Sequence, residues 1–367
     1  MSHIVIDARR INSSTGYYAK NLLEQLEHTD SIHNYTVIVL QRELTHYQPV
    51  AKNFRVVAST ADHYTLSEQL RFAWQLYRLR PDLVHFTMPQ QPLLWFGARI
   101  TTIHDTTLIR FENLDQNKYL YRLRKLIFTL LMRNVIWRSR YIISPSKYVT
   151  RDLDTWTNHR HTSKLKTIYN AGDTTHVTVK AINELKNVPY LCWVGNAFPY
   201  KNITTIITAF AAIKKLHPSL HLALAGRSDI FYERLADMVR KKAIPDVHFL
   251  GYINDAEKRW LFQNANAYVV ASLSEGFHMP LLEAMAERCP IISSNATCLP
   301  EIAGTAALYF DPRSVDELVA AIQQLLEDSS LRGTLVEHGT HQLQRFSWHT
   351  TAAKMHGLYL KALTYRA

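Results

Sequence analysis

Cysteine is scarce in this sequence. Cys192, Cys289 and Cys298 are its three cysteines, and no two of them form a C-x-x-C pair. This pattern argues against a disulfide framework and against a structural zinc site, and it indicates a reducing compartment.

Long apolar runs are absent as well. No run approaches the ~18 residues that a membrane-spanning helix requires, and the opening residues MSHIVIDARR lack the layout of a signal peptide. We therefore expect a cytoplasmic protein. The 367 residues, 47% of them apolar, are enough for two globular domains.

Acidic residues are the third shortage, with 31 Asp and Glu against 42 Lys and Arg, a formal charge of +11. Such a surplus indicates an anionic partner, which could be phosphates on a small molecule, a membrane face or nucleic acid. The stretch 116–151 contains not one acid.

Short apolar runs of strand length recur along the whole chain, and helical patterns such as 18–28, 202–217 and 255–266 separate many of them. The predicted strands are 3–7, 35–40, 54–59, 82–86, 99–105, 141–146, 190–195, 220–226, 247–251, 267–272 and 290–295. Most are continuously apolar, as in parallel sheets covered on both faces. The pattern predicts an α/β fold with two doubly wound, Rossmann-like parallel-sheet domains facing a cleft.

The domain boundary is predicted in the turn-forming segment YNAGDTTH, residues 169–176. Residues 1–175 would form the first domain and 176–346 the second. The last helical pattern, 347–363, could return to brace the first domain, so that 347–367 would belong to it.

The stretch SEGFHMPLLEAMA, residues 274–286, carries two glutamates eight positions apart. It follows a predicted strand, and ligands of doubly wound sheets bind at such strand ends. Pro280 suits the first helical position, which would place Leu281, Leu282 and Glu283 in the first turn. Free backbone N–H groups there are a natural seat for a diphosphate, and Gly276, followed by Phe277, lets the backbone approach a ligand.

The two glutamates can each accept two hydrogen bonds from neighbouring sugar hydroxyls. We predict that Glu283 holds the ribose of a nucleotide and that Glu275 contacts the hydroxyls of a transferred sugar. The alternative is structural: Glu283 could complement a helix dipole and Glu275 could be a solvated loop acid.

The signature E-x7-E in this stretch resembles that of glycosyltransferase family 4, whose members are retaining enzymes with the two-domain GT-B fold. Other segments resemble the family in order and spacing, from about residue 3 to residue 330. They are STGYYAKNLL (14–23), TIHD (102–105), SPSKYVTRDL (144–153), WVGNAFPYKN (193–202), LALAGR (222–227), FLGYIND (249–255) and CLPEIAGTAALYFDP (298–312).

The resemblance assigns further residues to the donor site. Lys201 matches a diphosphate-binding lysine, whose cation would stabilise the leaving group; by itself it could be a surface lysine. Many relatives carry an arginine where this chain has Asn196, so Arg227 is the other candidate cation. Backbone groups around Tyr252 and Ile253 would hold the nucleobase.

Two residues of the first half also match the family. Gly16 corresponds to a glycine that lets a loop approach the donor phosphate and the acceptor. His104 matches a histidine that reaches the sugar across the cleft and positions the acceptor, although it could be a structural histidine. Asp105 could orient the ring or cap the loop.

Several kinds of cofactor are disfavoured. The lone Gly16 is not a G-x-G-x-x-G fingerprint, which argues against NAD. The D-x-D in RDLD (151–154) falls on a predicted helix, where residues two apart do not share a face, so we expect a surface acid and no metal. Retention of anomeric configuration is implied by the resemblance, and we expect no cofactor, the nucleotide-diphosphate sugar being the donor substrate.

The acid-free segment KYLYRLRKLIFTLLMRNVIWRSR (118–140) mixes apolar residues with seven cations. It could lie on an anionic membrane, at the inner face of the plasma membrane, with Arg122, Arg124 and Lys125 on the head groups. Equally, it could be a helix packed on the first sheet with a solvated basic face.

These observations predict a retaining, metal-independent glycosyltransferase that moves a hexose from a GDP- or UDP-linked sugar to a carbohydrate or lipid-linked acceptor. The sequence GNAFPYKN resembles mannosyltransferases, which favours mannose. Alternatives are a sugar phosphorylase or nucleotide-sugar epimerase on the same fold, or a non-catalytic carbohydrate- or nucleic-acid-binding protein. No recognised nucleic-acid motif supports the last reading.

Overall fold

Two parallel sheets, each built from its own stretch of chain, organise the molecule. The computed structural model describes residues 1–13, 15–63, 65–107, 118–172 and 177–365, with the side chains of 118–124 outside that description. The chain divides into a first unit, Met1–Asn170 with Ser347–Ala367, and a second unit, Ala171–Phe346. The division falls within the turn-forming segment where we predicted a boundary.

The first unit contains a seven-stranded sheet in the order β3-β2-β1-β4-β5-β6-β7, with every pair parallel. Its strands are His3–Asp7 (β1), Asn34–Leu40 (β2), Phe54–Ser59 (β3), Leu83–Phe86 (β4), Arg99–Thr102 (β5), Tyr141–Ser144 (β6) and Leu165–Thr167 (β7).

The second unit contains a six-stranded parallel sheet in the order β10-β9-β8-β11-β12-β13. Its strands are Tyr190–Val194 (β8), His221–Ala225 (β9), Val247–Gly251 (β10), Ala267–Val270 (β11), Ile291–Ser294 (β12) and Ala307–Phe310 (β13).

Helices connect the strands within both units. In the described part of the chain they are Gly16–Thr29 (α1), Ala73–Leu79 (α2), Lys118–Arg138 (α3), Lys147–Trp156 (α4), Ile203–Ile213 (α5), Ile230–Lys241 (α6), Asp255–Asn264 (α7), Met279–Ala286 (α8), Leu299–Ala303 (α9), Val315–Glu327 (α10), Ser329–Leu343 (α11) and Trp348–Thr364 (α12). None of these helices is both long and apolar enough to cross a membrane.

The continuous apolar character of the strands follows from burial on both faces. On β1, Ile4 and Ile6 belong to one buried cluster with residues of α1 and α12, whereas Val5 belongs to another, with Phe72 and Leu76. Successive side chains of a strand point to opposite faces, so a sheet covered on both faces needs apolar residues at every position.

The helix α12 packs within the first unit although it comes last in the chain. Its first turn is capped by Ser347, whose Oγ accepts a hydrogen bond from the backbone of Thr350. Tyr359 is fully buried, and its hydroxyl shares a 2.7 Å hydrogen bond with His85 Nδ1 on β4. This bond ties the end of the chain to the centre of the first sheet.

The predicted α/β class with two doubly wound parallel sheets is confirmed. Each predicted strand is present, and several end earlier than we predicted. In particular, β5 stops at Thr102, so His104 lies beyond the strand. The short strands β7 and β13 were not predicted; β7 has only three residues, LKT, one of them charged.

Candidate active site

The carboxyl ends of β8 and β11 form a topological switch point in the second unit. In the order of this sheet, β9 lies on one side of β8 and β11 on the other. Such a switch point leaves a crevice beyond the strand ends, where doubly wound sheets bind their ligands. Lys201 and Glu275 lie in the segments that follow these two strands.

Lys201 and Glu275 form a buried ion pair at this edge. Lys201 Nζ lies 2.5 Å from Glu275 Oε1, and the two side chains are only 11% and 9% exposed. The backbone N–H of Leu273 also donates to the carbonyl of Tyr200 at 2.7 Å, which ties the two loops together. Lys201, predicted to bind the diphosphate, and Glu275, predicted to contact the sugar, are thus in direct contact with each other.

His278 and Tyr268 extend this pair into a chain of hydrogen bonds. His278 Nδ1 lies 3.0 Å from Glu275 Oε1, and its Nε2 lies 2.9 Å from the Tyr268 hydroxyl. Burial raises the pKa of Tyr268 well above its usual range, so the hydroxyl keeps its proton and donates to Nε2. In neutral imidazole the remaining hydrogen is then on Nδ1, which donates to Glu275.

The charges within this group are fixed by its surroundings. Burial by itself would raise the pKa of Glu275, but Lys201 and His278 outweigh it and hold that pKa well below its usual range. Burial lowers the pKa of His278, although Glu275 acts in the opposite direction. The group therefore contains a lysine, a carboxylate and a neutral imidazole.

The entry to α8 differs from the predicted one. His278 has φ +69° and precedes the helix, Met279 is its first residue and Pro280 its second. Our prediction that Glu283 lies in the first turn is therefore wrong, since it is the fifth helical residue. The N–H of Leu281 donates to the carbonyl of His278 at 3.1 Å, so it is already engaged. Because His278 is a non-glycine residue in the left-handed region, this turn is strained.

Glu283 is ion-paired with a lysine that sequence reasoning missed. Lys258 Nζ, on α7, lies 3.0 Å from Glu283 Oε2, and the side chains are 19% and 12% exposed. Burial lowers the pKa of Lys258, but Glu283 and Asp255 outweigh it and the pKa is raised. Its sequence context, DAEKRW, is typical of an exposed helix and does not indicate that Lys258 pairs with Glu283. The ribose-binding role of Glu283 remains a prediction.

Glycines allow the strand ends beside the switch point to approach closely. A Cβ added at Gly226 would lie 2.1 Å from the carbonyl oxygen of Gly195, and Gly195 itself has φ +153°. The N–H of Gly226 donates to the carbonyl of Gly251 at 2.9 Å. The next residue after Gly195 is Asn196, whose Oδ1 is buried and makes no hydrogen bond to any described residue.

The other predicted donor-site residues differ in exposure. Arg227, after β9, and Tyr252, after β10, are exposed, whereas Ile253 is half-buried. Gly276, Phe277 and Leu282 are buried. The structure brings Lys201 and Glu275 into contact, but it leaves the contributions of these six residues to ligand binding as predictions.

His104 occupies the equivalent edge of the first unit, beyond the carboxyl end of β5. Its Nε2 donates to the carbonyl of Thr87 at 2.9 Å, which leaves Nδ1 as the acceptor. Burial lowers its pKa, although Thr87 and Asp105 act in the opposite direction. Asp105 caps the loop, since its Oδ1 accepts from the backbone N–H of Thr107 at 2.9 Å.

Gly16 is the first residue of α1 rather than a loop residue before it. A Cβ at this position would lie 2.0 Å from the carbonyl oxygen of Arg10 and 2.2 Å from that of Ile11. A glycine is therefore required by the preceding loop, whatever its contact with a ligand.

The D-x-D motif lies on α4, as predicted, and its two acids have different surroundings. Asp152 is buried and accepts a hydrogen bond from the Thr106 hydroxyl, so our expectation of a surface acid is wrong for this residue. Asp154 accepts from Thr162 Oγ1 at 2.6 Å and lies 2.8 Å from His159 Nδ1. The two carboxylates thus have separate structural partners.

The acid-free segment forms the single helix α3. Met132, Val135 and Ile136 are buried and pack into a cluster with Ile103 and Leu153. The opposite face exposes a second apolar set, Leu126, Ile127, Leu130, Leu131 and Trp137, which are between 36% and 66% exposed. The side chains of Arg122 and Arg124 lie outside the described residues.

Comparison with known proteins shows the fold and a family match over part of the second unit. The two doubly wound parallel sheets correspond to the GT-B fold. Consistently, a solved structure of Anabaena HepE in complex with UDP-glucose has a TM-score of 0.75 over 98% of this chain and 100% of its own, at 15% identity. Residues 177–342 match the family model of glycosyl transferases group 1.

Two curated relatives are mannosyltransferases by name. The O-antigen chain mannosyltransferase B of Escherichia coli is 32% identical over 163 residues, which cover 43% of this chain and 42% of that protein. The O-antigen chain mannosyltransferase RfbU of Salmonella typhimurium is 28% identical over 263 residues, 68% of this chain and 72% of that protein. This chain thus matches less than half the length of the first relative and most of the second.

Proposed function

We propose that this protein is a retaining glycosyltransferase that moves mannose from a nucleotide-diphosphate sugar to a carbohydrate or lipid-linked glycan, without a metal or other cofactor. The mannosyltransferase names of the two relatives support the sugar. A UDP-glucose complex of a protein with the same fold supports a nucleotide-sugar donor, GDP- or UDP-linked.

The observation that carries the proposal is the buried Lys201–Glu275 pair at the switch point of the second sheet. This pair places a cation and a carboxylate 2.5 Å apart at the crevice beyond the ends of β8 and β11. The diphosphate of the donor would draw Lys201, and the sugar hydroxyls would donate to Glu275. Asn196, two residues after β8, offers a further buried amide oxygen.

The reaction needs charge stabilisation more than proton transfer by the protein. The acceptor oxygen forms a bond to the anomeric carbon on the face from which the phosphate leaves, and the bond from that carbon to the phosphate oxygen breaks. The acceptor proton passes to the leaving phosphate, and a nucleoside diphosphate is released. A fixed ammonium such as that of Lys201 stabilises the charge that develops on this leaving group.

His104 is proposed to position the acceptor on the first unit. Its Nε2 is committed to Thr87, so Nδ1 can accept a hydrogen bond from an acceptor hydroxyl. The lowered pKa keeps the ring neutral and therefore able to accept.

The exposed face of α3 is proposed to contact an anionic membrane, as a lipid-linked acceptor would require. Its apolar side chains and neighbouring cations such as Lys125 and Arg133 are the composition of an interfacial helix. Nucleic acid is not part of the proposal.

A donor-binding experiment tests this function. Melting temperatures of the full chain are measured with GDP-mannose, UDP-glucose, ADP-glucose and dTDP-glucose, and one of them should stabilise by ~2.7 kcal/mol at a hundredfold excess over its dissociation constant. Glu283→Ala should lose that shift. Glu287→Ala, which removes an acid of the same region that pairs with Arg259, should keep it.

The reaction type is then determined with the donor that raises the melting temperature, by measuring its turnover with and without acceptor and phosphate. Release of the nucleoside diphosphate should depend on an added glycan acceptor and should not depend on phosphate. No shift with any donor, or a full shift in Glu283→Ala, would contradict the assignment. Turnover that requires phosphate, or conversion of the donor without an acceptor, would point to a phosphorylase or an epimerase instead.

A further inference from the structure

A cluster of two histidines and one aspartate lies in the first unit, away from the strand ends discussed above. Asp30 follows α1, His33 precedes β2, and His356 lies on α12. Their ligand atoms, one from each residue, are all within 4.8 Å of one another. In a parallel sheet the amino end of β2 is at the opposite edge from the carboxyl end of β5, where His104 lies. The cluster therefore has no part in the proposed transfer reaction.

The geometry of the cluster is close to that of a metal site. Asp30 Oδ2 lies 3.0 Å from His33 Nδ1 and 3.1 Å from His356 Nε2. Ligand bonds to zinc of about 2.0–2.2 Å in a tetrahedron place neighbouring ligand atoms roughly 3.3 Å apart. The two separations from Asp30 Oδ2 are therefore within a few tenths of an ångström of this spacing, and the two histidine nitrogens lie within 4.8 Å of each other.

A simple hydrogen-bonded ion pair does not account for His356. Its Nε2 is inaccessible to solvent and makes no hydrogen bond to any described residue, although it lies close to Asp30 Oδ2. A buried polar atom without a hydrogen bond is costly, and a metal ion on its lone pair would remove that cost. Two imidazoles and a carboxylate are ligands that zinc accepts readily.

The carboxylate of Asp30 is held in place by a second set of contacts. The Tyr35 hydroxyl donates to Oδ2 at 2.7 Å, and the backbone N–H groups of Ile32 and His33 donate to Oδ1 at 2.7 and 3.2 Å. Metal ligands typically have such partners, which fix their orientation.

We propose that Asp30, His33 and His356 bind one zinc ion that fastens α12 to the start of β2. The scarcity of cysteine argued against a structural zinc, but this site uses none. The side chains of His33 and His356 are 13% and 20% exposed, so the cluster lies just beneath the surface, and a water molecule would be the fourth ligand of the ion. The ion would hold the last helix of the chain on the first unit.

Zinc binding to the chelator-treated full chain tests the proposal. Competition with a chromophoric chelator should give one zinc ion per chain, and zinc should raise the melting temperature. His33→Gln and His356→Gln should lose both effects. Tyr35→Phe, which keeps the stacked ring but removes the hydroxyl, should bind about 10- to 100-fold more weakly.

The matched control is His349→Gln, because His349 is an exposed histidine on the same helix. It should bind zinc as tightly as the unmodified chain. Melting temperatures of the metal-free variants show whether they fold. The proposal is overturned if the unmodified chain takes up no zinc, if His33→Gln and His356→Gln bind it unchanged, or if His349→Gln loses it as they do.

Discussion

Lys201 and Glu275 are 74 residues apart in the sequence, yet their side chains meet at 2.5 Å in the interior of the second unit. The pair exists because β8 and β11 are neighbours in the sheet, so that the loops after them meet. An ion pair this well buried stabilises the fold only while both partners are present, because a lone buried charge is costly. The same residues are therefore expected to affect both stability and donor binding, and a double substitution can separate the two effects.

We predict that Lys201→Met lowers the free energy of unfolding by about 3 kcal/mol, because it leaves the Glu275 carboxylate buried beside His278 alone. Adding Glu275→Gln should restore most of that loss, since the amide has no charge to compensate. Transfer activity should stay about 10²- to 10³-fold below that of the unmodified chain in both variants. Urea unfolding and nucleoside-diphosphate release measure the two effects.

The control for this cycle is an exposed pair in the same unit. Lys180 Nζ lies 2.7 Å from Glu257 Oε1, but the lysine side chain is 65% exposed. Lys180→Met should change stability little, because solvent screens such pairs. If Lys201→Met is as stable as Lys180→Met, or if the double variant is no more stable than Lys201→Met, the buried pair does not behave as described.

Most of the fold could be predicted from the sequence because apolar runs report burial directly. Strands covered on both faces read as continuous apolar segments, and the helices between them imply parallel connections. The short strand β7 could not be recognised, because its LKT sequence has no apolar run. The end of β5 was also missed, since Ile103 is still buried and its N–H still donates to the carbonyl of Ile143 on β6, one residue beyond the strand.

The candidate site was predictable in part. Glu275 and Lys201 could be found from motifs, but their contact could not, because it depends on which strands are neighbours. Lys258 gave no signal in an ordinary charged helix. The role of His278 as a bridge between Glu275 and Tyr268 requires a left-handed backbone, which sequence does not reveal for a non-glycine residue.

Stability should fall in mild acid because of His85. Burial, assisted by His104, lowers the pKa of His85 from 6.5 to about 3. The unfolded chain then takes up a proton below pH 6.5 that the folded chain does not, so the contribution to stability is complete above the unfolded pKa and is lost as the pH falls toward the folded one. Between pH ~6.5 and ~5 the loss from this group is about 2 kcal/mol.

Urea unfolding at several pH values compares the unmodified chain with His85→Gln, which cannot titrate. The variant should have a flatter pH profile in this range, whatever its stability at neutral pH. His28→Gln, at an exposed position of α1, should keep the unmodified slope. Identical slopes for the unmodified chain and His85→Gln would contradict the prediction.

The last prediction concerns the exposed face of α3, where Leu126, Ile127 and Leu130 are 56%, 48% and 55% exposed. Replacing all three by glutamine should lower partitioning onto vesicles containing anionic lipid at least about tenfold, since burying one leucine is worth about 1.5–3 kcal/mol. Binding should also weaken as salt is added, because the attraction of the cations is screened. Co-sedimentation measures both, with Leu216→Gln, an exposed leucine of the second unit, as the control. Equal sedimentation of the triple variant and the unmodified chain would mean that this face is merely exposed and that any membrane contact lies elsewhere.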